Sequence, residues 1–360
     1  MLSGHFSTNR LAGGTNDLPH EGYVIRMKRM TNERRTYVCD LKAGMNVDQV
    51  FVVRQKELRT TKAGGYFISA TLGDSSGNII ARMWQASETV FNGIPTDGFL
   101  HVKGRVEDYR GMPQMIIEAC RPVSADKVDV SEFIPTSPYD VDEMWGEITE
   151  ILREIKNTPL KLLVKKILED KKLVTAIKRA PAAVQMHHPY AGGLVEHTRN
   201  VMRNAVVLLP FYPQLSVDLV LAGTFLHDLG KSAELSSGIN IFYTDRGQLI
   251  GHLTIAVVWI QEKAKLVEEE TSQKFPHETI TLLQHIVLSH HGEYEYGSPK
   301  LPAIPEAFFI HFLDNLDAKM WMTENAIESD PDNESRWTTY LKQLDTKIFK
   351  PHKELPEMES

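Results

Sequence analysis

Five histidine stations and two aspartates hold most of the chemical information in this chain of 360 residues. His197 lies in Gly192-Gly-Leu-Val-Glu-His-Thr198, and His227-Asp228 lies in Thr224-Phe-Leu-His-Asp-Leu-Gly-Lys231. His252 follows Gly251, His290-His291 precedes Gly292, and Asp314 stands in His311-Phe-Leu-Asp-Asn-Leu-Asp317. Neutral imidazoles with carboxylates form a borderline-to-hard ligand set suited to manganese, iron, cobalt, nickel or zinc. Cys39 and Cys120 are the only cysteines and form no CxxC pair. A structural zinc knot and a disulfide framework are therefore not expected, and a reducing, cytoplasmic setting is. Taken singly, each residue has an ordinary explanation, such as a hydrogen-bonded histidine or a surface aspartate. The joint pattern, with every member on a helix or at its end, points to a metal site.

These side chains need helices to bring them together. From Met144 onward Trp145, Ile148, Ile151, Leu152 and Ile155 recur at helical spacing. Thr158-Pro159 reads as an N-cap followed by a first-turn proline. Further helical patterns cover residues 194–209, 217–226, 252–267, 277–289 and 305–326, with no competing strand series. The apolar run 219–226 reads as a buried helix that delivers His227-Asp228 at its end. A last helix is expected over residues 334–349.

The first third follows a different period. Short alternating runs at 49–54, 66–72, 79–84, 99–106 and 114–120 are separated by turn signals such as Gly73-Asp-Ser-Ser-Gly-Asn78. Five strands with a helical insert at 87–91, between the third and fourth, follow the order of an OB-type barrel. On such a barrel Phe67, Trp84 and Tyr109 offer stacking faces, and Arg54, Lys56, Arg59, Lys62, Arg82 and Arg105 offer phosphate contacts. Core packing is the competing account of each aromatic. The cations from Arg54 to Lys62 read as a strand-to-loop connection, for which a solvated loop is the alternative.

Apolar and charged fractions of 42% and 24% are those of an ordinary globular protein long enough for two cores. No run approaches the roughly 18 apolar residues of a membrane span, and the first residues lack the pattern of a secretory signal. The net charge of −7 is unevenly spread: residues 26–35 hold five Lys/Arg against one Glu. The expected organisation is a flexible, basic tail over 1–35, an OB-type barrel over 36–123 and a linker over 124–143. An all-α domain over 144–330 and a C-terminal helix and tail over 331–360 follow. Met27 and Met30 leave the translation start open. The apolar stretch 303–312 leaves room for a homo-oligomer.

The order His, His-Asp, Asp resembles the HD phosphohydrolase superfamily. The strings HHPYAGGLVEHT, FLHDLGK, GQLIGH, LSHHGEYEYGSPKLP and DNLDAK, behind an OB-type domain, resemble the YhaM family of 3′–5′ exoribonucleases. The resemblance implies that His197, His227, Asp228 and Asp314 hold a first metal. It implies that His252, His290 and His291 hold a second, with Asp228 between them. The fold class is then multidomain α and β: an OB-type β-barrel followed by an all-α HD-superfamily domain.

What the resemblance implies chemically is hydrolysis of single-stranded RNA, and of single-stranded DNA as a further substrate, to nucleoside 5′-monophosphates by a metal-activated water. Manganese is the first choice of ion. Asp228 and Lys231 are the expected catalytic residues, with Lys231 meeting the phosphate as charge develops. His187 and His188 either contact the phosphate or leaving oxygen, or cap the helix near Gly192. Glu196 either orients His197 or faces solvent. The alternatives are a nucleotide or cyclic-nucleotide phosphohydrolase, and a non-catalytic single-strand-binding regulator.

Overall fold

The computed structural model describes residues 35–351, except 62, 63, 239, 331 and 333. The expected basic tail, apart from Arg35, lies outside the described residues, as do Lys62 and everything from residue 352.

Strands β1 (Asn46–Thr60), β2 (Tyr66–Asp74), β3 (Gly77–Met83), β4 (Phe99–Tyr109) and β5 (Met112–Val123) close a barrel in the order β1-β2-β3-β5-β4. All pairings are antiparallel except β3 with β5. Helix α1 (Glu88–Gly93), capped by Ser87, sits between β3 and β4 as the OB-type order requires. Inward residues such as Phe51, Ile68, Leu72, Leu100 and Met115 fill the barrel, while Val52 and Phe99 belong to a second cluster with Phe133. Alternation thus encodes the barrel wall directly.

One expectation about this wall is corrected. Residues Arg54 to Thr60 are not a loop but the continuation of β1, which runs on to pair with β2 through Thr60↔Tyr66. A bulge between Val53 and Gln55 bends the strand there. Polar residues tolerate this place because one side of the strand faces outward at the barrel rim.

The linker is an ordered strap. Phe133 packs on Phe99 with ring centroids 4.9 Å apart. Three residues on, the strap grips the helical domain, where Ser137 N donates to Ala191 O at 3.0 Å and Ala191 N to Pro135 O at 3.0 Å.

The helical domain comprises α2 (Val141–Arg153), α3 (Thr158–Leu168), α4 (Lys171–Arg179), α5 (Gly193–Leu208) and α6 (Val217–Leu226). It continues with α7 (Lys231–Glu234), α8 (Asp245–Ile250), α9 (His252–Thr271), α10 (His277–Ser289) and α11 (Pro305–Glu328). Asp140, Asn157, Asp170, Ser216 and Thr244 accept first-turn N–H bonds at helix starts, each contributing about 1 kcal/mol. Asn157, not Thr158, is the cap of α3. Every residue of α6 from Leu219 to Leu226 is buried, so this helix has no polar face and forms the centre of the domain. It packs against α5, α10 and α11. The four helices that supply most of the polar cluster therefore share one core.

The expected helix over 334–349 is not formed. The described residues make isolated bridges Trp337↔Phe349 and Leu341↔Thr346 around a turn with Asp345 at φ 52°. Apolar residues that would have lined one helical stripe instead meet across this turn, Trp337 on Phe349 at 5.1 Å. In the stretch 303–312, Ala307 and Ile310 are buried, while Phe308 and Phe312 are exposed.

Candidate metal centre

The end of α6 puts His227 and Asp228 at the heart of the domain. Two close approaches draw other elements onto them. Gly230 lets the start of α7 lie against α9, since a Cβ there would fall 2.1 Å from His252 O. Gly292, at φ +83°, turns the chain out after His290-His291 where a Cβ would strike the His311 ring.

The seven expected ligands converge in two groups. His197, His227, Asp228 and Asp314 present ligand atoms within 4.8 Å of one another, and so do His252, His290 and His291. Asp228 stands between the groups. Its Oδ2 lies 3.4 Å from His197 Nε2 and 3.5 Å from His227 Nε2, while its Oδ1 lies 3.6 Å from His252 Nε2 and 3.4 Å from His290 Nε2.

Every histidine offers the same atom. His197 Nδ1 meets Asp317 Oδ2 at 2.7 Å, His227 Nδ1 meets Thr224 O at 2.6 Å and His252 Nδ1 meets Glu234 Oε1 at 2.9 Å. His290 Nδ1 meets Val287 O at 2.8 Å and His291 Nδ1 meets Tyr296 O at 2.9 Å. A carbonyl or carboxylate can only accept, so each Nδ1 carries the proton and Nε2 is left for an ion. Asp228 Oδ1 and His252 Nε2 are buried with no hydrogen-bond partner. An uncompensated buried carboxylate oxygen is costly, and a divalent cation would satisfy both atoms. The donor set and its orphaned atoms fit a metal pair.

The electrostatics agree. Burial works against ionising Asp228, but Lys231, His227 and His290 override it and hold its carboxyl well below the usual range. Burial pushes His227 down to about 4 and His291 down to about 3, which keeps both imidazoles neutral and able to ligate. His197 is the exception. Burial opposes its charge, yet Asp314 and Asp317 raise it to about 10.

The remaining expected residues divide sharply. Lys231 Nζ donates to Asp228 Oδ2 at 2.6 Å, so its ammonium stands at the cluster. His187 packs its ring 5.1 Å from that of His197, with Nε2 buried and unpaired. His188 is committed elsewhere: Nε2 donates to Asp317 Oδ2 at 3.0 Å and Nδ1 reaches Tyr190 Oη at 2.8 Å. Asp317 and Glu196 overcome the effect of burial and raise its pKa, which favours the charged form between two carboxylates. Of that pair, only His187 has a buried ring nitrogen without a hydrogen-bond partner.

Supporting residues emerge that sequence reasoning missed or undervalued. Asp317, one turn after Asp314 on α11, orients His197 and accepts from Asn200 Nδ2 at 3.0 Å. Glu196 is buried, not solvent-facing, and accepts from Ser137 Oγ at 2.6 Å and Tyr190 Oη at 3.1 Å. Glu234 orients His252. The three-residue spacing from Asp314 to Asp317 was the available signal.

On the barrel, Arg54 donates to Phe133 O at 2.8 Å and to Asn240 Oδ1 of the helical domain at 3.0 Å. Lys56 Nζ donates to Phe91 O at 2.9 Å and Ile94 O at 2.6 Å, closing the end of α1. Both cations are thus employed in the fold. Arg59 is exposed and pairs with Glu57 at 2.7 Å, and Arg105 pairs with Glu107 and Glu118. Phe67 packs on Trp84 at 5.0 Å, and Arg82 lies over both Trp84 at 5.7 Å and Tyr109 at 5.0 Å. Trp84 and Tyr109 are exposed, so these two rings are not core.

Residues 194–319 match the HD domain family. The 3′–5′ exoribonuclease YhaM of Halalkalibacterium halodurans is 35% identical over 318 residues, covering 88% of this chain and 96% of that one. The 3′–5′ exoribonuclease YhaM of Bacillus subtilis is 35% identical over 286 residues, covering 79% and 88% respectively. Among solved structures, the second OB-fold domain of replication protein A from Methanococcus maripaludis aligns with 26% of this chain and 98% of its own, at 16% identity and a TM-score of 0.20. The ligand set, the barrel in front of it and the extent of the likeness to these relatives lead to one assignment: the chain belongs to the YhaM family of 3′–5′ exoribonucleases.

Proposed function

We propose that this protein is a metal-dependent 3′–5′ exoribonuclease acting on single-stranded RNA, and on single-stranded DNA as a second substrate, with release of nucleoside 5′-monophosphates. The observation that carries the reading is Asp228, whose two carboxylate oxygens face separate histidine groups. Two divalent ions held by these groups, manganese as first choice, would polarise the scissile phosphate and lower the pKa of an attacking water.

The chain's own residues have definite tasks. The Nδ1–H acceptors hold each imidazole in one tautomer and one orientation. Lys231 balances the Asp228 carboxylate and stands ready to share its protons with a non-bridging phosphate oxygen. His187 Nε2, without a partner in the protein, is positioned to meet a phosphate or leaving oxygen. Burial of Asp228 and His227 excludes bulk water from the ligand atoms, which strengthens each electrostatic contact. Trp84, Arg82 and Tyr109 give the barrel a sequence-tolerant surface for the rest of the strand.

No helix among the described residues is long and apolar enough to cross a membrane. The sparse use of cysteine, two in 360 residues, supports a cytoplasmic setting.

The test uses single strands of RNA and DNA labelled at either end, incubated across a manganese titration. Labelled mononucleotide released at once from the 3′ label, with progressive shortening from the 5′ label, is the expected result. Failure to hydrolyse any strand would overturn the reading.

A further inference from the structure

We propose, building on the exoribonuclease reading, that Phe242, Tyr243, Tyr294 and Tyr296 form a base-stacking subsite beside His252 and His291 for the 3′-terminal nucleobases of the bound strand. The subsite is made from two segments that flank one pair of imidazoles.

The first segment is a hairpin between α7 and α8. Its rungs are the Leu235↔Tyr243 bridge, Ser236 N to Phe242 O at 2.9 Å, and Thr244 N to Glu234 O at 2.9 Å. At its base Glu234 Oε1 accepts from both the backbone N and Nδ1 of His252, each at 2.9 Å. Further out, Asn240 accepts from Arg54 at 3.0 Å and donates to Val53 O at 3.4 Å, on the barrel strand β1. Phe242 and Tyr243 therefore sit on a piece of chain anchored at one end to the barrel and at the other to an expected metal ligand.

The second segment is the 3₁₀ turn Tyr294–Tyr296. Tyr296 O fixes His291 Nδ1 at 2.9 Å, and Ser298 Oγ ties the turn's exit to Leu288 O of α10 at 2.9 Å. The His252 and His291 rings are 5.1 Å apart, so the hairpin and the turn approach the same two ligands.

All four rings are open to solvent, at 52%, 47%, 62% and 63% exposure. Single exposed aromatics need no explanation. Four of them, on two backbone-locked segments that each hold a ligand of the same group, do. A phosphodiester held at this cluster would leave its attached bases within reach of these segments, and an enzyme that removes every nucleotide in turn needs a grip indifferent to base identity. Stacking on aromatic faces meets that need, because every base presents a π-face.

The experiment compares kcat/KM of the manganese-loaded full chain on two oligoribonucleotides. One has an intact 3′ end, and the other lacks the bases of its last two residues. The wild type is expected to favour the intact end by about thirtyfold or more, the scale of two stacked bases. Y294A and F242A/Y243A are expected to lose that advantage while degrading the abasic strand at the wild-type rate. Y294F/Y296F is expected to keep the advantage, since the ring face remains. Variants that lose both substrates equally, or that retain the preference, overturn the subsite. A wild type that degrades both strands equally also overturns it and leaves the exoribonuclease reading standing, whereas one that leaves RNA intact overturns both.

Discussion

The two domains handle their polar residues in opposite ways. In the helical domain the seven expected ligands are gathered on the ends and faces of buried helices, and each ring has its own acceptor. In the barrel the cations are absorbed into the fold, as Arg54 and Lys56 are, paired with carboxylates, as Arg59 and Arg105 are, or set over exposed rings, as half-buried Arg82 is with Trp84 and Tyr109. One half positions a few atoms tightly because chemistry on a phosphate tolerates little displacement. The other exposes Trp84 and Tyr109 with Arg82 over both rings, a surface that on the proposed reading would let a strand advance without being held in one register. Precision and tolerance are thus assigned to different domains.

Substitutions in each half should reveal this contrast. The largest effect is expected at the shared carboxylate: Asp228→Ala should reduce RNA degradation to background while leaving strand binding by the barrel intact in a gel-shift titration. Next come the residues that orient ligands. Asp317→Ala and Glu234→Ala should each lower metal affinity or activity by about 10- to 100-fold, measured as the manganese concentration giving half-maximal rate. Equal tolerance at these two positions and at exposed surface acids would break the comparison.

The helical domain should also carry a pH signature. His197 is raised to about 10, burial opposing and Asp314 and Asp317 prevailing. Below that pH the metal-free ring holds a proton on Nε2 that a bound ion must displace. Manganese binding at pH 7 is therefore expected to release about one proton, and affinity to rise with pH up to about 10. Calorimetry in buffers of different ionisation enthalpy reads the proton directly, and the absence of buffer dependence would contradict the assignment.

The smallest effects belong to the barrel. Arg82→Ala should weaken strand binding and reduce the salt dependence of binding by about one ion, while Trp84→Ala should weaken it with the salt dependence unchanged. Arg54→Ala should leave the salt dependence alone, because its guanidinium is spent on Phe133 O and Asn240. A salt effect at Arg54 equal to that at Arg82 would blur the distinction between structural and binding cations.

The same contrast explains what was legible in the sequence. The expected ligands could be read because each is a histidine or an aspartate on a helical segment or at its end, and burial of residues 219–226 followed from their apolar run. Their supporters could not. A carboxylate such as Glu196 or Asp317 near a ligand is commonplace, and its task depends on where Tyr190, His188 and Ser137 fold back to meet it. On the barrel the strand order was legible from alternation and turns, but the extent of β1 was not. A bulge at Val53/Gln55 carries it through a polar stretch that reads as loop. The segment 334–349 misled for the converse reason: its apolar spacing permits a helix, and only the pairing of Trp337 with Phe349 across a turn decides against one.

If Asp228 joins the two histidine groups into one centre, metal binding to the intact protein will show it. Manganese titrated into the metal-free wild type, followed by equilibrium dialysis and electron paramagnetic resonance, should give two ions per chain with a spin-coupled signal, as a carboxylate shared between neighbouring ions requires. Asp228→Ala should lose the coupling. A single ion in the wild type, or two uncoupled ions unaffected by the substitution, would contradict the account.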